Sequence, residues 1–150
     1  MSDAQIRPAG QDDIPAIVAM LADDPLGAER ESPGDLAPYT TAYRRLADDP
    51  HQHLVVAVRD SRVVGTLQLT VIPGLSRRGA TRAVIEAVRV HADERGSGLG
   101  TQLIEWAVEE ARRQGCGLVQ LTSDATRTDA HRFYERLGFT ASHVGFKLSI

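Results

Sequence analysis

One stretch limits the fold more than any other: Val88-Arg-Val-His-Ala-Asp-Glu-Arg95-Gly96-Ser97-Gly98-Leu99-Gly100-Thr101, a loop of three glycines between an apolar segment and a long amphipathic one. Ala83 to Val90 reads as a strand. From Gly98 to Gln114, Leu99, Leu103, Ile104, Ala107, Val108 and Ala111 recur at helical spacing, and Gly115 supplies the stop. The first turn of such a helix has N–H groups without intrahelical partners, and the macrodipole puts partial positive charge there. Glycines let a bulky anion approach the backbone, and Arg95 adds a full charge beside it. This is the chemistry of a phosphate or pyrophosphate site; the alternative is a glycine-rich turn with no ligand.

Three spacings compete for the loop. A Walker loop needs Gly-Lys-Ser/Thr, and no Lys stands here. A dinucleotide fingerprint needs Gly-x-Gly-x-x-Gly after a βαβ start, and neither the glycine spacing nor the preceding hairpin agrees. Arg-x-x-Gly-x-Gly, at Arg95, Gly98 and Gly100, fits without adjustment.

The rest of the chain alternates strands and helices around a strand-rich middle. Gln5-Ile6-Arg7 reads as a strand stopped by Pro8. Asp12 or Asp13 can cap a helix to about Ala22. Asp23 to Gly34, with two prolines and two glycines, reads as an irregular loop, and Asp35 to Leu46 as a second helix. His53 to Arg59 and Arg62 to Ile72 form an antiparallel hairpin through Asp60-Ser61, with a loop from Pro73 to Ala80. Leu118 to Leu121 reads as a short buried strand, Asp129 to Leu137 as a helix stopped by Gly138, and Ser142 to Ser149 as a final strand. The strand–helix–strand passage between 83 and 121 implies one parallel pair in a mostly antiparallel sheet.

At 150 residues, with no repeat or low-complexity segment, a single domain over 1–150 is expected. A net charge of −3 argues against a nucleic-acid partner, which would demand clustered Lys and Arg. The lone cysteine, Cys116, excludes an internal disulfide and a multi-Cys zinc site, so no metal is expected. The N-terminus lacks the pattern of a signal peptide, and the longest apolar run, Ala16 to Ala22, is far short of the ~20 residues a membrane helix needs. No membrane partner and a cytoplasmic setting are expected.

Two motifs together carry a family resemblance. Arg95-Gly-Ser-Gly-Leu-Gly100 after Val88-Arg-Val90 resembles the acetyl-CoA motif of the GNAT superfamily of N-acetyltransferases, and Ala130-His-Arg-Phe133-Tyr134-Glu-Arg-Leu-Gly138-Phe139 resembles its second motif. The resemblance is close over about residues 53–149 and holds earlier in element order alone. It implies a mixed α+β (α/β) GNAT-like fold: a central, mostly antiparallel, twisted sheet of six to seven strands, with a parallel strand 4/strand 5 pair splayed apart and about four flanking helices. It implies acetyl-CoA as cosubstrate, held by Val88, Arg89, Val90, Arg95, Gly96, Ser97, Gly98, Leu99, Gly100 and Thr101. Where many members carry Asn, this chain has Arg127, which either reaches a phosphate or points to solvent. Many members are dimers, so a homodimer is expected.

The implied chemistry is direct attack of a primary amine on the thioester. The strand backbone at Val88 and Val90 would pair with pantetheine amides, and the Val88 N–H would face the developing oxyanion. Tyr134 is the candidate acid, since a phenol of pKa ~10 keeps its proton until a thiolate leaves; the alternative is a ring that only packs. Glu86 is the candidate base. In a regular strand it shares a face with Val84, Val88 and Val90, where desolvation would raise its pKa. A bulge would turn it outward, or it could only bind a cationic substrate.

Other residues have plainer readings. His51 and His53 suit a solvated turn, Asp124 a helix entry or turn, Cys116 an inert thiol and Trp106 packing. The acidic run Asp23, Asp24, Glu29, Glu31, Asp35 favours a cationic acceptor, whereas Arg77, Arg78 and Arg82 favour one bearing a carboxylate. A small-molecule amine is expected as partner, a protein amine being the other option. A non-catalytic acyl-CoA-binding or sensing module is the alternative to an enzyme.

Overall fold

Strands β2 (Gln52–Arg59) and β3 (Arg62–Ile72) meet through Asp60 and Ser61, both at positive φ (50° and 63°). A turn of this hand matches the twist of the strands it joins. β1 (Gln5–Pro8) pairs antiparallel with β2, and β4 (Arg82–Val90) antiparallel with β3. β5 (Leu118–Leu121) ends the order β1-β2-β3-β4-β5 and runs parallel to β4. The structure is a computed structural model that describes residues 3–150. They fall into two compact units, one extending to Gln120 and the other Leu121–Ile150.

In the first unit, α1 (Ile14–Ala22) turns Ile14, Ile17, Val18 and Met20 inward. α5 (Leu99–Arg113) buries Leu99, Leu103, Ile104, Ala107 and Ala111, the stripe its periodicity predicts except for half-buried Val108. With Val55, Leu67, Leu69 and Ile85 these side chains form the core. Gly65 sets how closely α5 approaches β3. A Cβ there would stand 3.0 Å from Leu103 Cδ1 and 3.3 Å from Leu99 Cδ2.

The expected irregular loop after α1 contains a short helix, α2 (Pro25–Arg30). Asp24 caps it by accepting from Gly27 N–H, and Pro25 occupies the first position, where a missing N–H costs nothing. Gly27 is obligatory because a Cβ there would run into the Leu21 carbonyl. α3 (Ala37–Asp48) follows. The expected loop after β3 contains the single turn α4 (Ser76–Gly79), whose Arg77, Arg78 and Gly79 are all left-handed (φ 54°, 62° and 74°). These two short elements account for six helices rather than about four. His53 lies inside β2, not in a turn.

In the second unit, α6 (Thr128–Arg136) buries no residue completely. The expected final strand is absent. Residues 140–150 are exposed and carry no sheet pairing, so the sheet has five strands instead of six to seven.

Arg7 ties β1 to the start of α1. Its Nη1 lies 2.7 Å from Asp13 Oδ2, which also accepts the Gly10 N–H at 2.8 Å. Asp13 stands at the helix entrance, yet its side chain faces these partners instead of capping the helix. The hydrogen bond from Arg7 holds the Asp13 carboxyl below the usual carboxylate range. A depressed pKa means stabilisation that is present above the unfolded value and lost as pH falls through the native one. Asp13→Asn therefore flattens the fall in unfolding free energy on acidification below about pH 5, measured by urea denaturation across pH. Gly65→Val overfills the β3–α5 contact and lowers unfolding free energy by about 1–3 kcal/mol in the same assay at pH 7.

Candidate active site

The loop that leaves β4 is built around a buried charge. After Val90 the chain makes a 3-10 turn at Ala92–Glu94, and Glu94 turns inward to 8% exposure. Its Oε1 accepts from Arg59 Nε at 2.7 Å. His91 N–H donates to the Val64 carbonyl at 2.8 Å, and the His91 ring accepts from Asp93 N–H at 3.1 Å. Both ends of the turn are thereby fixed to β2 and β3.

Beyond it, Gly96 and Gly98 are left-handed (φ 80° and 85°), and no atom lies within 4 Å of where a Cβ would stand on either. Gly98 is the N-cap of α5, and the first bond into the helix is Gln102 N–H to the Gly98 carbonyl at 3.1 Å. The amides of Leu99, Gly100 and Thr101 precede it. Open space, first-turn amides and the helix dipole converge on one point, which suits a diphosphate. Arg95 stands beside it, 3.7 Å from Asp23.

β4 is irregular just before this loop. Gln68 pairs with Glu86, but Thr66 pairs with Arg89, so Leu67 faces Ala87 and Val88 together. Ala87 takes φ 53° to make the bulge. The bulge resets the faces. Glu86 keeps Val84, Gln68 and Thr70 beside it, and the next residue on its face is Arg89. Val90 opposes Gly65 on the other face. Glu86 is exposed instead of set in an apolar wall, so the regular-strand reading of its surroundings does not hold. Arg89 lies 3.5 Å from Asp24 and donates to the Val88 carbonyl at 2.9 Å. The acidic segment after α1 thus already faces two arginines. The bulge is the alternative that the sequence reading raised for Glu86; the ion pairs it missed, because they leave no local pattern.

The second unit carries the remaining candidates. Tyr134 packs edge-on between Phe133 (centroids 5.1 Å apart) and Phe139 (5.9 Å), and its carbonyl accepts the N–H groups of Leu137 and Phe139 at 3.0 and 3.1 Å. Arg127 is the N-cap of α6, its N–H donating to the Asp124 carbonyl at 3.0 Å. Asp124 accepts from Thr126 N–H at 2.9 Å and Thr126 Oγ1 at 2.6 Å, the turn that its sequence position suggests. In the first unit, burial raises the Cys116 thiol pKa, which disfavours the thiolate. Among the described residues, no three or more His, Cys, Asp and Glu are grouped to hold a metal, and no helix is long and apolar enough to cross a membrane.

A bulged fourth strand opening through a glycine loop into a helix, with a parallel fifth strand beside it, is the arrangement of an acyltransferase type of fold. The Acetyltransferase (GNAT) family model matches residues 15–139, and the chain belongs to that family. It is 40% identical over 98 residues to the aminoalkylphosphonate N-acetyltransferase of Salmonella typhimurium, a match covering 65% of this chain and 63% of that protein. It is 31% identical to the L-methionine sulfoximine/L-methionine sulfone acetyltransferase of Pseudomonas paraeruginosa, over 93% of this chain and 81% of the relative. Among solved structures, a Bacillus halodurans C-125 chain named a transcriptional regulator is 45% identical, with a TM-score of 0.95 over 98% of this chain and 99% of that one.

The loop's dependence on Glu94 is measurable. Arg59→Ala strands a buried carboxylate and lowers unfolding free energy by about 3–5 kcal/mol. Arg62→Ala removes only a long, exposed pairing to Asp93 (3.8 Å) and changes it by less than about 0.5 kcal/mol. Urea denaturation of both variants reads the difference.

Proposed function

We propose that the chain is a single N-acetyltransferase domain over 1–150 that moves the acetyl group of acetyl-CoA to the primary amine of a small molecule, working in the cytoplasm. The observation that carries this reading is the open cradle over Gly96 and Gly98 at the first-turn amides of α5. Those amides, with Ser97 and Arg95, would hold the diphosphate, and Arg127 would be a further anion contact. The backbone from Val88 to Val90 would take the pantetheine arm.

The bulge supports the chemistry. It takes Ala87 and Val88 out of the regular register with β3, and the Val88 N–H would stabilise the oxyanion. Glu86 accepts the ammonium proton, directly or through water. The amine nitrogen then forms its bond to the acetyl carbon, the carbon–sulfur bond breaks, and Tyr134 gives its phenolic proton to the leaving thiolate; the second nitrogen proton, lost as the amide forms, returns to the phenolate through water.

The acceptor is an amine that also carries an acidic group. Asp23 and Asp24 already face Arg95 and Arg89, which removes much of the case for a purely cationic substrate. Arg77, Arg78 and Arg82 supply the positive charge an acidic substituent would meet. The first relative's named substrate joins an amine to a phosphonate, and the second's are amino acids.

A second reading, an acyl-CoA-sensing module, is favoured by the name of the Bacillus halodurans chain. Thiol release from acetyl-CoA across a panel of aminoalkylphosphonates and amino acids, with calorimetric titration of CoA, separates the two. Turnover that Tyr134→Phe lowers by about 10²–10⁴ without loss of CoA affinity supports the enzyme and its acid. CoA binding without turnover on any amine supports the module. Gly98→Val fills the cradle and forces a β-branched residue to positive φ, so its CoA heat disappears; unchanged heat moves the site elsewhere.

A further inference from the structure

One face of the sheet carries a row of polar side chains across three strands. In β3, Leu67 and Leu69 turn to the core, both 0% exposed, and Gln68 and Thr70 turn the other way. Gln52 of β2 pairs with Thr70 and Glu86 of β4 pairs with Gln68, so the four side chains share that face. Three of them are tied together. Gln52 Oε1 accepts from Gln68 Nε2 and from Thr70 Oγ1, both at 2.9 Å. With Nε2 held on the β2 side, the carbonyl oxygen of the same planar amide is set away from Gln52. Among the described residues, no hydrogen bond or ion pair engages Gln68 Oε1 or the Glu86 carboxylate. Opposed residues of neighbouring strands stand about 4.5–5.5 Å apart at Cβ, close enough for both acceptors to reach one small group.

On the reading that Glu86 takes the proton of an ammonium, we propose that Gln68 is the second acceptor of that ammonium, a specificity-determining residue for primary amines, and that Gln52 and Thr70 are its positioning residues. A primary ammonium brings three N–H donors, and a carboxylate with a fixed carbonyl beside it matches two of them. When Glu86 removes one proton, the neutral nitrogen keeps an N–H on Gln68 Oε1, and its lone pair is free to face the acetyl carbon. A glutamine free to rotate would present its NH2 group to the ammonium part of the time and repel it. The shared oxygen of Gln52 holds that NH2 on the other side. The neutral amide also leaves the charge of Glu86 uncompensated, where a Lys or Arg at position 68 would neutralise it as a cross-strand ion pair.

The test uses the full chain and measures initial rates with acetyl-CoA and whichever aminoalkylphosphonate or amino acid the wild type turns over fastest. Gln68→Met, close in shape but without the carbonyl, and Gln68→Leu each raise KM for the amine about 10–100-fold, while kcat and KM for acetyl-CoA change by less than about twofold. Gln52→Leu raises KM for the amine in the same direction, and Gln52→Glu, which keeps an acceptor for both donors, brings it back. Urea denaturation shows that each variant is folded. An amine KM unchanged in both Gln68 variants overturns the proposal, and so does one that rises no more than KM for acetyl-CoA. A Gln52→Leu variant with the amine KM of the wild type, or a Gln52→Glu variant that does not restore it, overturns the positioning role. Glu86→Gln separates this assignment from the reading beneath it. Turnover that falls in Glu86→Gln while both Gln68 variants behave as wild type removes Gln68 and leaves acetyl transfer standing; a wild type that turns over no amine overturns both.

Discussion

Glu94 joins the fold to the site. A carboxylate at 8% exposure requires a partner, and Arg59 of β2 meets it at 2.7 Å. That pair holds the turn that ends β4, and the turn decides where Gly96, Gly98 and the first turn of α5 stand. A loop of left-handed glycines without an anchor would sample many shapes, and its amides would converge only part of the time. The buried pair converts a flexible sequence into a prearranged set of donors, which is what binding an anion by backbone requires.

The second constraint acts one step earlier, in β4. Placing Ala87 at φ 53° costs strain, and strain of this kind is kept where it serves a site. Its effect is to put Glu86 and Arg89 on one face and Val90 on the other, while Ala87 and Val88 leave the regular register. One displaced residue thus separates the face that carries Glu86 and Arg89 from the face that carries Val90. Arg89 and Arg95 then draw Asp24 and Asp23 toward the same region, so the segment after α1 is tied to the residues that would meet the cosubstrate.

Strands β1 to β4 are stabilised by neighbours and by α1 and α5, whereas β5 is short and half-exposed.

Local chemistry was enough to read much of this from the residues. The Asp60-Ser61 turn, the α5 stripe, the strand rich in valine and the spacing Arg95, Gly98, Gly100 are each set by neighbours within a few positions, where propensity and periodicity act. The helix of Pro25–Arg30 was missed because glycine and two prolines look like a loop until the Asp24 cap and the close approach to Leu21 are seen. The face of Glu86 stayed open between a regular and a bulged strand, because a single residue at positive φ inverts a strand's alternation without changing its composition. The Asp23–Arg95, Asp24–Arg89 and Arg59–Glu94 pairs join residues far apart in the chain, and only folding brings them within reach. The final strand expected over Ser142 to Ser149 has the alternation of a strand and forms none. Whether it finds a partner strand depends on backbone hydrogen bonds to another segment, which no sequence of its own can decide.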